Sequence, residues 1–222
     1  DVSVIPTETG CIYTITPNET WLQDSARVYP ICIDPSITTS TAATDIQDSG
    51  VNQYNPTTNY WKVNRMYVGS NVSNGVGYES RIYIRFPKVA AIGTNAYITS
   101  ATMWLNHHPT TSYQTAENNE LQVFDVGGYN WIASTITWNS QAGYTFSNVV
   151  AGAVTNKSNS SESFDITDLV RKWYGTAGSN NGVVIKPKVV YSDKTNRTCY
   201  LSSDYSASEA TKRPRVVINY DY

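Results

Sequence analysis

The chain has 222 residues, a formal net charge of -2 and only 15% charged residues. This length suits one large all-β domain with a short leading segment. The low charge offers no basic surface for a phosphate backbone, so we expect no nucleic acid partner. No stretch approaches the roughly 18 consecutive apolar residues that a membrane span requires, so we expect no membrane insertion.

The first 37 residues contain two strand-like runs, CIYTITP and VYPICID. We predict that residues 1–37 form an N-terminal β-segment that leads into a larger module over residues 38–222. A hairpin could place Cys11 opposite Cys32 and allow a disulfide, whereas three buried thiols, with Cys199 as the third, are the alternative.

Alternation of apolar and polar residues dominates the larger module. In RIYIRF, Ile82, Ile84 and Phe86 share one strand face, which predicts that they belong to the core. Similar strand-like runs are YWKVNRMYV (60–68), YITSATMWLN (97–106), ELQVFDV (120–126), STITW (134–138), GVVIKP (182–187), CYLSS (199–203) and PRVVINY (214–220).

One segment departs from this alternation. In DITDLVRKWYG, Leu169, Val170 and Trp173 lie on one helical face, which predicts a short helix near 167–174 with Trp173 in the core. Many short strands with a lone helix are typical of an all-β fold, and we predict an antiparallel β-sandwich of jelly-roll-like form. A β-barrel is the alternative.

The stretch NWIASTITWNSQ (130–141) carries two tryptophans in a polar setting. In the predicted strand Trp138 shares a face with Ile136, which favours burial of both side chains. Trp131 precedes that strand, and it either wedges a loop against the sandwich or stacks on a sugar ring.

Several motifs occur in one order along the chain and together resemble the DNRLRE domain. This family comprises β-sandwich modules of large secreted or wall-associated bacterial proteins, including RHS-repeat proteins. The motifs are WLQDSARVYPICIDPSI (21–37), SRIYIRFP (80–87), ITSATMWL (98–105), LQVFDV (121–126), NWIASTITWNSQ (130–141), FDITDLVRKWY (164–174), NGVVIKP (181–187) and RPRVVINY (213–220).

This resemblance implies an extracellular, non-catalytic module that is related to carbohydrate-binding modules. Such a module attaches its parent protein, next to neighbouring domains, to polysaccharide or cell wall. We expect the module itself to be a monomer. The same resemblance favours a framework role for the two tryptophans of the 130–141 stretch.

Sugar binding requires exposed aromatic rings beside polar groups that can pair with hydroxyls. The stretch NQYNPTTNYWK offers Tyr54, Tyr60 and Trp61 among several asparagines, and HHPTTSYQ offers Tyr113. Together with Trp131, these four residues are the predicted ligand-binding residues, although tyrosines at strand ends also commonly cover a core.

Two carboxylates near the start of the module, Asp45 and Asp48, could hold a structural calcium, and ordinary Asx turns are the alternative. No other cofactor is expected. The sequence contains neither GxSxG nor HExxH, and its glutamates have no spacing that marks a catalytic pair. We therefore predict no enzyme, with a depolymerase-related domain as a remaining alternative.

A third function is a structural spacer that displays other domains of a surface protein. Spacers of this kind can carry a crosslink between lysine and asparagine side chains, for which Lys62 and Lys186 are the candidates in strand-like runs.

Overall fold

The computed structural model describes residues 2–7, 10–26, 36–87, 92, 96–109, 118–156, 158–176 and 179–221. The chain divides into two compact units, residues 1–33 and residues 34–222. Among the described residues, no helix has the length and apolar character needed to cross a bilayer.

The first unit contains an antiparallel hairpin of β1 (Val2–Thr7) and β2 (Gly10–Ile15), followed by the short helix α1 (Glu19–Leu22). Asn18 caps this helix, because its side-chain Oδ1 accepts a hydrogen bond from the backbone N–H of Trp21 at 2.9 Å. The proposed partners in a disulfide, Cys11 and Cys32, have side chains outside the described residues.

The second unit contains two antiparallel sheets, which confirms the all-β sandwich class. Its strands are β3 (Ser36–Thr38), β4 (Gln47–Asn52), β5 (Arg65–Ser73), β6 (Val76–Arg85), β7 (Tyr97–Asn106), β8 (Glu120–Asp125), β9 (Val149–Val154), β10 (Ser161–Asp165), β11 (Val183–Pro187), β12 (Asn196–Leu201) and β13 (Arg215–Asp221). Short 3₁₀ segments occur at Ala43–Asp45 and Ala207–Lys212.

The smaller sheet has four strands in the order β10-β7-β13-β3. The larger sheet has seven strands in the order β12-β5-β6-β11-β8-β9, with β4 also paired to β6. Alternate residues of both sheets meet in the main core, so Ile82 and Ile84 of the larger sheet share it with Met103 and Val216 of the smaller one.

The predicted helix is confirmed as α2 (Thr167–Gly175), and its buried residues are Leu169, Val170 and Trp173. Its apolar face belongs to the main core, as the helical spacing predicts. The hydroxyl of Thr167 accepts a hydrogen bond from the backbone N–H of Ala101 at 2.9 Å, which ties the start of the helix to β7.

A second core lies on the opposite, outer face of the seven-stranded sheet. Tyr83 of β6, Phe124 of β8 and Val184 of β11 point to this face and are buried by Trp131 and Ile136. The last two residues belong to the segment 127–148, which we call the covering segment. Half of the outer face is therefore enclosed by irregular chain instead of a third sheet.

Candidate functional site

The open half of the same outer face contains a groove of about 360 Å³. It lies between the ends of β4, β5 and β12 and the connection over residues 53–64, which we call the groove loop. The lining residues are Gly50, Val51, Asn52, Tyr54, Asn55, Tyr60, Val63, Arg65, Met66, Tyr67, Asn71, Ser80 and Arg197.

Asn52, the last residue of β4, fixes the start of the groove loop. Its Oδ1 accepts a hydrogen bond from the backbone N–H of Tyr54 at 2.7 Å, and its Nδ2 donates to Ser80 Oγ at 2.9 Å. A side chain that bonds the backbone two residues later is the Asx turn, which stabilises a sharp change of chain direction at a strand end. The turn therefore directs the Tyr54 side chain to the groove.

Two tyrosines of the groove loop provide aromatic surface. The Tyr54 side chain is 46% exposed, and its ring meets the Tyr78 ring edge-on with centroids 4.8 Å apart. Tyr60 is half-buried, and its hydroxyl accepts a hydrogen bond from Asn55 Nδ2 at 3.0 Å. Such partly exposed rings beside amides suit a pyranose, which offers an apolar face and a rim of hydroxyls.

Tyr67 in β5 holds the two arginines of the groove. Arg65 Nε donates to the Tyr67 hydroxyl at 3.2 Å, and Arg197 Cζ lies 4.5 Å from the centroid of the Tyr67 ring. Burial raises the pKa of Tyr67, so the phenol is neutral at physiological pH. The lining residues, all described, include no aspartate or glutamate, and the groove is therefore cationic although the whole chain is weakly acidic.

A glycine brings Arg197 into this position. Gly69 has φ +128°, and a Cβ atom there would lie 2.3 Å from the Asn196 carbonyl oxygen. Only glycine tolerates both this backbone conformation and this contact. Strand β12 can thus approach β5 closely, with Arg197 paired directly opposite Gly69.

The structure places the five predicted ligand-binding residues in different settings. Tyr54 and Tyr60 line the groove. Trp61 follows them on the groove loop and is 41% exposed, with Lys62 Nζ lying 4.4 Å from the centroid of its ring, but it is not a lining residue. Tyr113 lies outside the described residues.

Trp131, the fifth predicted residue, is only 2% exposed. Its Nε1 donates to the Asn181 carbonyl at 2.8 Å, and its ring contacts Tyr83 with centroids 5.4 Å apart. A stacked sugar needs an exposed ring face, so this burial does not fit ligand binding and places Trp131 in the framework. The other indole of the stretch, Trp138, lies under the Arg81 guanidinium, 4.6 Å from Cζ.

The two aspartates proposed as calcium ligands lie in different settings. Asp48 is buried, and its two oxygens accept hydrogen bonds from the backbone N–H and the hydroxyl of Ser203 at 2.6 and 3.1 Å. Asp45 lies in the 3₁₀ segment. Among the described residues, no group of three or more His, Cys, Asp or Glu side chains could hold a metal. Calcium stays a prediction, which a thermal melt with and without chelator tests.

Burial raises the pKa of Asp48 to about 7. The hydrogen bonds from Ser203 and the charge of Arg213 lower this pKa, but their effect is smaller than that of burial. Burial likewise raises the pKa of the Cys199 thiol to about 12. That thiol is therefore protonated and unreactive at neutral pH.

The sequence reading missed Arg65, Tyr67 and Arg197. The sequence did indicate the orientation of two of them. Arg65 and Tyr67 alternate with the core residues Met66 and Val68 along β5, so they must face away from the core. What the sequence did not contain was the pairing of β5 with β12, which brings a residue 130 positions away to the same surface.

The model of carbohydrate-binding module family 96 matches residues 39–220. The chain belongs to this family. The match covers all of the sandwich except β3 and the last residue of β13, and it includes every residue that lines the groove. Membership of family 96 supports the predicted relation to carbohydrate-binding modules.

Curated relatives of this family 96 chain include tRNA nuclease WapA of Bacillus subtilis strain 168 and tRNA3(Ser)-specific nuclease WapA of Bacillus spizizenii. A third is tRNA(Glu)-specific nuclease WapA of Bacillus subtilis subsp. natto. Each is 27% identical over 224 residues, which cover 96% of this chain and 9% of the relative. The chain thus spans less than a tenth of the length of these relatives.

The names of the relatives correct one prediction. The absence of catalytic motifs led us to expect no enzyme, but proteins similar to nearly the whole chain are named nucleases. The prediction was wrong because it rested on motifs within these 222 residues alone. Such motifs carry no information about the remaining nine-tenths of the relatives that are named nucleases.

Proposed function

We propose that this family 96 module binds an acidic polysaccharide in the groove and thereby attaches a larger extracellular protein to a cell wall or another glycan. We also propose that it is a DNRLRE domain, as the order of its motifs indicates. The observation that carries the proposal is the groove itself, which is lined by tyrosine rings, amides and two guanidinium groups.

Each group has a task in glycan recognition. Tyr54 and Tyr60 supply ring surface for the apolar face of a sugar, and the lining asparagines pair with hydroxyls. A guanidinium presents several donors in a fixed plane, which matches a carboxylate, sulfate or phosphate on the sugar. The two arginines therefore favour a charged glycan over a neutral one.

Affinity at a single groove is expected to be modest. Sugar hydroxyls exchange hydrogen bonds with water for hydrogen bonds with protein, and the net gain per bond is small. A polymer with repeated units, or several modules on one protein, raises the effective concentration and strengthens attachment. This behaviour suits a role in attachment.

The test is retention on immobilised acidic and neutral polysaccharides, with Arg197→Gln as the variant and Arg215→Gln as the matched control. Both arginines lie in strands and stack on a ring, Arg215 on Trp104 at 5.7 Å, but only Arg197 lines the groove. We expect selective retention on acidic polymers that weakens with salt, and a loss of about tenfold in Arg197→Gln only.

Two results would count against the proposal. Equal retention on neutral and acidic polymers, with the retention of Arg197→Gln the same as that of the unmodified module, would contradict an acidic ligand. Failure of the unmodified module to bind any polysaccharide would remove glycan binding itself.

A further inference from the structure

The groove loop is anchored to the covering segment by one side chain. Asn59 Nδ2 donates two hydrogen bonds, to the Ala133 carbonyl at 2.8 Å and to the Ile136 carbonyl at 2.7 Å. A backbone contact adds to them, since Asn139 N–H donates to the Pro56 carbonyl at 3.0 Å. The loop that forms the groove and the segment that closes the second core are therefore in direct contact.

Both donors of the Asn59 amide are engaged in this contact. Both of its N–H groups bond the covering segment, and its Oδ1 accepts a hydrogen bond from Trp61 N–H at 3.1 Å. An Asn side chain has two donors, so none is left for a sugar hydroxyl. Its role differs from that of the asparagines that line the groove.

The two carbonyls that receive these bonds are held rigidly. Ala133 and Ile136 are 5% and 3% exposed, and they pack with Trp131 against Tyr83 in the second core. Buried side chains in close packing leave little freedom for the backbone that carries them. Asn59 therefore attaches the loop to a fixed point of the fold.

The residue that follows Asn59 in the chain is Tyr60, which lines the groove. A loop residue that is held in its binding conformation before the ligand arrives spares the ordering cost of binding. We propose that Asn59 is a positioning residue, which uses the second core to hold Tyr60 in place for the glycan without touching the glycan. This inference rests on the proposed function.

The experiment measures glycan affinity and thermal stability for Asn59→Ala, Tyr60→Ala and the double variant. The matched control is Asn180→Ala, which removes a bond from Nδ2 to the Phe86 carbonyl at 2.9 Å outside the groove loop. We expect Asn59→Ala to weaken binding about tenfold, because the loop must then be ordered on binding. In the Tyr60→Ala background the same change should cost nothing further.

Asn180→Ala should lower the melting temperature and leave affinity unchanged, which separates positioning from general destabilisation. If Asn59→Ala does not fold, Asn59→Ser tests the same two hydrogen bonds, since it removes the amide donors, adds no charge and keeps an oxygen that can accept from Trp61 N–H. Unchanged affinity in the Asn59 variants, or additive losses in the double variant, would overturn the inference alone. Absence of binding by the unmodified protein would overturn the proposed function, and the positioning role with it.

Discussion

The two halves of the outer face of the seven-stranded sheet are built from the same kind of strands, but one half is buried and the other is open to solvent. In one half, Tyr83, Phe124 and Val184 are buried under the covering segment and form a second core. In the other half, Tyr67 and its arginines border an open groove. Val51 belongs to both regions and marks the boundary between them.

This difference shows that strand alternation decides which residues leave the main core but not whether they reach solvent. Whether these outward-facing residues reach solvent depends on the irregular segments that lie over the sheet. Where a long segment carries apolar residues at the right places, the outer residues become framework. Where the groove loop rises beside them, they become available for a ligand.

The largest expected effect lies in the covered half. Trp131→Ala removes a fully packed indole and its hydrogen bond to the Asn181 carbonyl, so we expect the free energy of unfolding to fall by about 3–5 kcal/mol. Urea denaturation measures this loss. A stable variant with reduced glycan affinity would instead place Trp131 in the binding site.

The next effect concerns pH and the buried Asp48. With a pKa of about 7 in the folded chain and an ordinary value of 3.8, the folded state binds more protons between these values, so raising the pH favours unfolding. The stability that this group contributes is complete below about pH 4 and is lost as the pH rises through 7. Each pKa unit corresponds to about 1.4 kcal/mol, which limits the loss to about 4 kcal/mol.

The variant Asp48→Asn checks this expectation when its free energy of unfolding is compared with that of the unmodified protein at two pH values. The amide mimics the protonated acid toward Ser203, while the neighbouring Asp204 and Arg213 stay in place. We expect the variant to be more stable than the unmodified protein at pH 8, and to have a much smaller advantage at pH 4.5, in urea titrations at both values. A constant difference across this range would contradict the account.

The smallest expected effect is that of Trp61→Ala. This exposed side chain lies on the groove loop but not in the groove, so its removal should change the free energy of unfolding by less than about 0.5 kcal/mol. Its effect on affinity should be smaller than that of Tyr54→Ala, which removes a groove wall. An affinity loss as large as that of Tyr54→Ala would extend the site over the Trp61 ring.

Much of the fold followed from alternation and helical spacing. The run 97–106 is β7 to the residue, and α2 begins at Thr167 as its apolar face indicates. The run 134–138 was a wrong strand prediction, because it forms turns. Thr137 and Ser140 bond each other's backbone N–H groups at 2.8 and 3.1 Å, and such local bonds compete with a sheet ladder.

The candidate site was only half visible in the sequence. Tyr54 and Tyr60 were found because they stand in a polar, asparagine-rich connection, the composition of a surface loop. Arg197 could not be assigned, since its place depends on which strands pair. The sequence left Trp131 open between the framework and a ligand, because its burial depends on the covering segment, whose packing has no periodic pattern.

The central claim is that glycan binding belongs to the open half of this face and not to the covered half. The most direct measurement is the affinity of two variants for an acidic polysaccharide, together with the melting temperature of each. The groove variant carries both Tyr54→Ala and Tyr60→Ala, and the second variant carries Trp131→Phe. We expect the groove variant to lose at least tenfold in affinity with little change in melting temperature, and Trp131→Phe to melt earlier with its affinity intact. The reverse pattern would contradict the account.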